Sequence, residues 1–191
     1  MENLKFRMAL PLEDKIAYSK RRIREWYDYY CGDVVVSYSG GKDSIVLLHL
    51  VRSIYPDVEA IFFNTGLEYP EVMDRVNRTE NLLKIRPEMT FRQVLDKYGY
   101  PVISKSVSQA IYEIRNTNSE KLRNKRLYGD AKGNGKLSMK WQWLVNAPFK
   151  ISGKCCTALK KRPSRNFYWD TGKVCYVGTK IEDSSLRRVS F

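Results

Sequence analysis

Apolar positions in this chain fall into short β-branched runs and longer stretches with helical spacing. Leu12, Ile16 and Ile23 recur among charged residues, which predicts a leading helix over 12–30. The run 34–36 is typical of a buried strand, and a glycine turn then leads into an apolar helix that ends near Pro56. The chain therefore opens as helix, strand, turn and helix.

The same pattern repeats once. A second apolar run at 58–63 is broken by the sequence Asn-Thr-Gly before a helix start at Pro70. Two strand–loop–helix units within about forty residues predict right-handed βαβ connections and a mainly parallel sheet. We expect an α/β fold, a Rossmann-like doubly wound sheet with helices on both faces. The loops 39–44 and 64–68 should face one crevice beyond the carboxyl ends of the strands.

The rest of the chain is less regular. Its pattern predicts a helix over 72–84, a short third strand at 89–91, a helix over 106–115, a strand at 174–177 and a helix start at 183–188. Residues 116–140 are basic and glycine-bearing, and we expect an inserted or mobile loop over the active face. The length of 191 residues predicts one domain spanning 1–191.

The turn after the first strand has the features of an anion site. Gly40 and Gly41 permit a tight turn, the following helix offers unpaired N–H groups, and Lys42 adds a full charge. A Walker loop is excluded because Val36 stands where its first glycine is needed and Asp43 where Ser or Thr should bind magnesium. The dinucleotide pattern Gly-x-Gly-x-x-Gly is also missing.

Composition sets limits on partners and location. The chain has 34 Lys and Arg against 21 Asp and Glu, a net charge of +13. This excess favours polyanionic partners such as nucleic acid, with a solvated basic surface as the alternative. No apolar run approaches the roughly 18 residues of a membrane span, and the N-terminus lacks a secretory pattern. We expect a cytoplasmic protein with no membrane partner.

Four short motifs, in order, resemble a known family. SGGKDS at 39–44 resembles the PP-loop of the adenine-nucleotide α-hydrolase superfamily. FNTGLEYPE at 63–71, KCCTALKKRP at 154–163 and GTKIEDSSLR at 178–187 resemble motifs of its phosphoadenosine phosphosulfate (PAPS) reductase branch. The resemblance implies an adenine nucleotide, namely PAPS, adenylylsulfate (APS) or ATP. It also implies nucleotide and phosphate contacts from Ser39, Gly40, Gly41, Lys42, Asp43, Ser44, Thr65, Gly66, Glu68, Lys154, Lys160, Lys161 and Arg187, with Lys42 and Asp43 as catalytic candidates.

Two departures from the family pattern concern metals. Asn64 replaces an acidic residue, which weakens a magnesium site at the second loop; if ATP binds, Asp43 is the candidate to organise Mg²⁺, with helix capping as its alternative role. Cys155 and Cys156 resemble two of the four iron–sulfur ligands of APS reductases. The second pair is absent, so a [4Fe–4S] cluster is not expected in this chain alone.

The resemblance implies three candidate functions. In the first, a thiol reduces PAPS or APS to sulfite and a thioredoxin-like partner regenerates it; the family's Glu-Cys-Gly segment carries that thiol, and its absence suggests a C-terminal truncation or a non-reducing member. The second is an ATP pyrophosphatase that adenylates a substrate for sulfur transfer, with nucleic acid as one candidate. The third is a non-catalytic nucleotide-binding module. Homo-oligomerisation stays open.

Overall fold

The fold was obtained as a computed structural model, which describes Phe6 and residues 8–179. In chain order the elements are α1 (Leu12–Tyr29), β1 (Val34–Ser37), α2 (Lys42–Arg52), β2 (Ala60–Phe63), α3 (Pro70–Arg78), β3 (Leu82–Ile85), α4 (Phe91–Tyr98), α5 (Lys105–Asn116), α6 (Glu120–Tyr128), a 3₁₀ helix (Met139–Asn146), a π-helical turn (Thr157–Lys161), α7 (Arg162–Thr171) and β4 (Val174–Tyr176).

These elements form two compact units. The sheet unit comprises the residues up to Asn64, the segment Glu68–Ile85 and the residues from Asn166 on. The helical unit comprises Thr65–Leu67 and Arg86–Arg165. The one-domain organisation stays a prediction, and each unit is described on its own.

The sheet unit is built on four parallel strands in the order β3-β2-β1-β4. Val36 of β1 pairs with Ala60 of β2 on one side and with Tyr176 of β4 on the other. The central strand β1 is buried along its first three residues because both faces of the sheet are covered. This arrangement confirms the predicted α/β fold and parallel sheet.

Alternate residues of β1 point into two separate cores. Val34 and Val36 pack with Ile23 of α1 and Leu48 of α2 on one face. Val35 and Ile61 pack with Phe167 of α7 on the other face. The side-chain period of two along a strand produces this division, so helices cover both faces as predicted.

The helical unit has its own apolar core. Ile111 and Ile114 of α5 pack with Leu144 of the 3₁₀ helix and with Ile151. Arg115 ties the same elements together, since its guanidinium donates hydrogen bonds to the carbonyls of Leu144, Val145, Ala147 and Phe149 at 2.7 to 2.8 Å. Five N–H donors in a planar fork make this multiple contact available to arginine.

The predicted helix over 72–84 is confirmed only as far as Arg78, and the predicted strand at 89–91 is wrong. Helix α3 ends at Arg78, and the turn that follows places Asn81 at φ +44°. The Arg52 guanidinium fixes this turn by donating to the carbonyls of Glu80 and Asn81. The apolar residues that follow pair with β2 as β3, while 89–91 leads into α4 through a capping box between Thr90 and Gln93.

The expected loop at 116–140 is partly helical. Helix α6 begins after Ser119, whose hydroxyl accepts a hydrogen bond from the N–H of Leu122. An ion pair between Arg126 of α6 and Glu113 of α5, at 2.5 Å, fixes α6 against its neighbour. The helix is polar on nearly all sides, so it carries no apolar stripe that the sequence pattern could reveal.

Other boundaries agree more closely with expectation. The leading helix, the helix near 106–115 and the strand near 174–177 are present, while α2 ends at Arg52, earlier than expected. The predicted helix start at 183–188 lies outside the described residues. Among the described helices, none combines the length and the apolar character that a bilayer crossing requires.

Candidate functional site

The sheet order identifies one edge of the sheet as the place for a ligand. The connection after β1 leads to β2 on one side, whereas β4 joins β1 on the opposite side. In open parallel sheets, ligands bind beyond the carboxyl ends of the strands at such a reversal of order. The turn 38–41 follows β1 and Gly178 follows β4, so both lie at this switch point.

Gly40 gives the turn its conformation. Its φ of +71° lies in the left-handed region, and a methyl group added there would lie 2.9 Å from Cγ1 of Val72 in α3. Gly41, in extended conformation, is the N-cap residue of α2. The turn thus delivers the chain directly into a helix N-terminus, where N–H groups and the helix dipole favour an anion.

Two serine hydroxyls hold the turn together. The Ser44 hydroxyl is 5% exposed; it donates to the Gly41 carbonyl at 2.8 Å and accepts from the Ser39 N–H at 3.1 Å. Ser39 Oγ lies 3.1 Å from Ser44 Oγ and accepts from the Gly41 N–H at 3.4 Å. Because the Ser44 hydroxyl already donates its hydrogen to the Gly41 carbonyl, the Ser39 hydroxyl is the donor in the hydrogen bond between Ser39 Oγ and Ser44 Oγ.

Arg75 is a residue of this site that sequence reasoning missed. From α3 its guanidinium donates to the Gly40 carbonyl at 2.6 Å, across 35 residues of sequence. The contact anchors the turn to α3 and adds positive charge beside the helix N-terminus. No motif in the sequence distinguishes Arg75 from the other basic residues of its helix.

Gly178 approaches the start of α2 closely. A Cβ atom on Gly178 would lie 3.2 Å from the Asp43 carbonyl oxygen, so a larger residue would push the two segments apart. The structure thereby brings the beginning of the 178–187 motif to the PP-loop. Arg187, the candidate contact in that motif, lies outside the described residues.

The second predicted loop begins at the same sheet edge. Asn64, which follows β2 directly, donates its N–H to the Ile85 carbonyl at 2.9 Å. Thr65 is buried and its hydroxyl accepts from the Leu67 N–H at 3.3 Å, while Gly66 has φ +78° with open space around it. Thr65 and Gly66 belong to the helical unit, and Glu68 is again part of the sheet unit. The nucleotide contacts of Thr65, Gly66 and Glu68 stay predictions.

The predicted basic contacts Lys154, Lys160 and Lys161 lie in the helical unit. The Lys154 ammonium donates to the Tyr112 hydroxyl at 2.9 Å and lies 4.6 Å from that ring's centroid and 5.4 Å from the centroid of Tyr98. These cation–π contacts position Lys154 within its own unit. Lys160 and Lys161 are exposed on the π-helical turn.

The cysteine pair immediately precedes this π-helical turn. Burial raises the pKa of the Cys155 thiol above its ordinary value, and neighbouring Cys156 raises it further. A raised pKa keeps the thiol protonated at neutral pH, so Cys155 is not an activated nucleophile. All four cysteines of the chain are free thiols.

The described residues do not supply a metal site. Among residues 6 and 8–179, no three or more His, Cys, Asp or Glu side chains cluster in a way that could hold an ion. Cys155 and Cys156 alone do not match the four thiolates of an iron–sulfur cluster. The same holds at Asp43, which has no cluster of such donors around it among the described residues.

Comparison with protein families identifies the segment that carries this loop. Residues 33–123 match the model of the phosphoadenosine phosphosulfate reductase domain. This segment is therefore similar to the domain of that family. The family segment runs from β1 through the PP-loop and the second loop into α6, whereas the motifs at 154–163 and 178–187 lie beyond it.

Known relatives agree with the family segment. The chain is 33% identical over 97 residues to adenosine 5'-phosphosulfate reductase of Staphylococcus haemolyticus, covering 47% of this chain and 40% of that one. It is 33% identical over 107 residues to the same enzyme of Staphylococcus epidermidis, covering 52% and 43%. The chain thus spans about two fifths of the length of these curated relatives.

Two further similarities are weaker. An uncharacterised protein of Methanocaldococcus jannaschii is 33% identical over 85 residues, which cover 41% of this chain and 18% of that protein. The crystal structure of a PAPS reductase from Candida auris in a phosphate complex is 14% identical, covers 90% of this chain and 69% of that one, and superposes with a TM-score of 0.42. A similarity at that level carries no argument about this chain.

Proposed function

We propose that the PP-loop of this protein binds a sulfonucleotide, APS or PAPS, with its phosphate or sulfate at the N-terminus of α2. The observation that carries the proposal is the braced turn 39–44 at the switch point of the sheet, inside the PAPS reductase domain segment. The APS reductases among the relatives support the same class of ligand.

The residues of the turn take different parts in this proposal. The backbone N–H of Lys42, in the first turn of α2, is presented to the anion, and the exposed Lys42 ammonium adds a charge-assisted hydrogen bond. Ser39, Ser44 and Arg75 act as positioning residues, because their hydrogen bonds hold the turn itself.

The reaction belongs to the same proposal. A thiolate would attack the sulfur of the bound sulfonucleotide, the bond from sulfur to the nucleotide oxygen would break, and a thioredoxin-like dithiol would release sulfite while being oxidised to its disulfide. Burial raises the pKa of the Cys155 thiol, so Cys155 does not take the attacking role. Retention of the nucleotide pocket without this reaction is the alternative.

Isothermal titration with APS, PAPS and ATP tests the proposal. Wild type should bind a sulfonucleotide more tightly than ATP, and Lys42→Ala should weaken that binding at least about tenfold, the equivalent of one charge-assisted hydrogen bond. Lys15→Ala, which removes an exposed lysine of α1, is the matched control and should bind like wild type. Preferred binding of ATP, with release of pyrophosphate, would instead support the pyrophosphatase alternative.

A further inference from the structure

The net charge of the protein is distributed unequally between its two units. Counted over the sequence, the helical unit holds eighteen Lys and Arg against five Asp and Glu, whereas the rest of the chain holds sixteen of each. The whole excess of +13 therefore belongs to the helical unit. The sheet unit, which carries the PP-loop, is neutral.

Nearly half of this excess, a net charge of +6, lies in one stretch of the helical unit. Residues 120–150, here called the basic segment, contain eight Lys and Arg but only two acidic residues, Glu120 and Asp130. Within the described part of the chain, ion pairs involve two of these cations, Lys125 with Asp130 at 3.6 Å and Arg126 with Glu113. The other six are exposed and make no ion pair with a described carboxylate: Lys121, Arg123, Lys132, Lys136, Lys140 and Lys150.

The basic segment presents its charges on an ordered backbone. Asp130 accepts hydrogen bonds from the N–H groups of Lys132 and Asn134, at 3.0 and 2.8 Å, and closes a turn after α6. The N–H of Leu137 then donates a hydrogen bond to the Arg126 carbonyl at 2.7 Å, and the Leu137 side chain is buried in the core of the helical unit. Lys132 and Lys136 project from this turn, so little ordering is needed before they meet a partner.

Exposed flat rings accompany the cations. Tyr128, at the end of α6, is 72% exposed, and Trp143, in the 3₁₀ helix, is 64% exposed. Trp141 differs, because it packs against the core and lies under the Lys140 ammonium at 4.9 Å. Tyr128 and Trp143 thus belong to the same stretch of chain as the six unpaired cations, and their rings are open to stacking by a planar group.

We propose that the basic segment is a docking surface for single-stranded nucleic acid, with the lysines on phosphates and bases stacked on Trp143 and Tyr128. An acidic protein would engage the cations through carboxylates, which do not stack on flat rings, and a duplex hides the faces of its bases. Single strands offer both closely spaced phosphates and free base faces. A mononucleotide at the PP-loop would neutralise only a small part of the +13 charge.

Fluorescence anisotropy with a labelled single strand of about 20 nucleotides, measured across a series of salt concentrations, tests this assignment. Binding should weaken steeply with salt, since each neutralised phosphate contributes about 0.7 to the slope of log K against log salt. The double variant Lys132→Gln, Lys136→Gln should lower that slope by about 1 to 1.5. Trp143→Ala should weaken binding about tenfold with the slope unchanged.

The double variant Lys15→Gln, Lys20→Gln makes the same change of charge on α1 of the neutral unit and should bind like wild type. Circular dichroism should show all variants folded, because the replaced side chains are not buried. Equal weakening by the α1 variant would overturn the proposal in favour of general charge attraction. Tighter binding of duplex than of single strand, or no effect of Trp143→Ala, would also contradict it, whatever the outcome at the PP-loop.

Discussion

Individual residues at the PP-loop have distinct structural roles, and Gly40 shows this most clearly. Its left-handed backbone and its distance of 2.9 Å from the Val72 side chain exclude any larger residue on two independent grounds. Ser44 and Arg75 hold the same turn through its carbonyl groups. The shape of the turn 39–44 thus depends on contacts inside the protein.

We expect Gly40→Ala to destabilise the protein more than a glycine replacement at a comparable backbone angle in open space. The left-handed conformation costs an alanine about 1 to 2 kcal/mol, and displacement of Val72 adds about 1 to 3 kcal/mol. Gly172→Ala is the matched control, because Gly172 has φ +70° and no neighbour within 4 Å. Urea unfolding measures the free energy of unfolding of both variants. Equal losses of stability would show that the Val72 side chain moves aside without an energetic penalty, which would contradict the prediction.

At the scale of elements, the helical unit depends on a polar clamp between two helices. Glu113 of α5 accepts hydrogen bonds from Gln109 and from Arg126 of α6. Burial opposes ionisation of Glu113, but the two hydrogen bonds and the Arg126 charge outweigh it and hold its pKa below the ordinary value. The charged clamp therefore stabilises the pairing of α5 with α6.

The clamp should be sensitive to acid. Because the folded-state pKa of Glu113 is depressed, its stabilisation is present above the ordinary glutamate pKa and is lost as pH falls through the folded value. Glu113→Gln should cost roughly 1 to 3 kcal/mol at neutral pH and much less in acid. Urea unfolding of wild type and variant at both pH values provides the measurement, and a cost that does not change with pH would contradict the ion-pair account.

Elements also show where sequence patterns succeed and fail. The run 34–36, the glycine turn and the second apolar run predicted β1, the PP-loop and β2, because a strand buried on both faces leaves a continuous apolar signature. Strand β3 was missed because its leucines continue the helical spacing of α3, and the helix end depends on a distant residue, Arg52. Helix α6 was missed because a tertiary ion pair holds it rather than an apolar stripe.

At the scale of the whole molecule, the excess positive charge and the PP-loop belong to different units. The sequence revealed a net charge of +13 and a phosphate loop, and it could not show that the two belong to different units. That separation depends on which residues pack together, which composition does not contain. The arrangement suggests a protein that binds a small nucleotide on one unit and a longer polyanion on the other.

The sheet unit has a cavity away from the PP-loop. A cavity of about 260 Å³ lies at the opposite edge of the sheet, near the amino ends of the strands, and its lining includes the rings of Tyr27 and Tyr55, stacked at 3.7 Å, and the side chain of Lys173. These rings offer a second place where a nucleotide base would stack. A test of nucleotide binding at the PP-loop must therefore distinguish the carboxyl ends of the strands from their amino ends.

Amide chemical shifts of the ¹⁵N-labelled protein, recorded during titration with APS or PAPS, make this distinction most directly. The proposed site predicts the largest shift changes at the N–H groups of residues 40–44 and of Gly178, since these surround the start of α2. The same titration of Lys42→Ala should require a higher nucleotide concentration for equal changes. Changes centred on Tyr27, Tyr55 and Lys173, with residues 40–44 unaffected, would contradict the account.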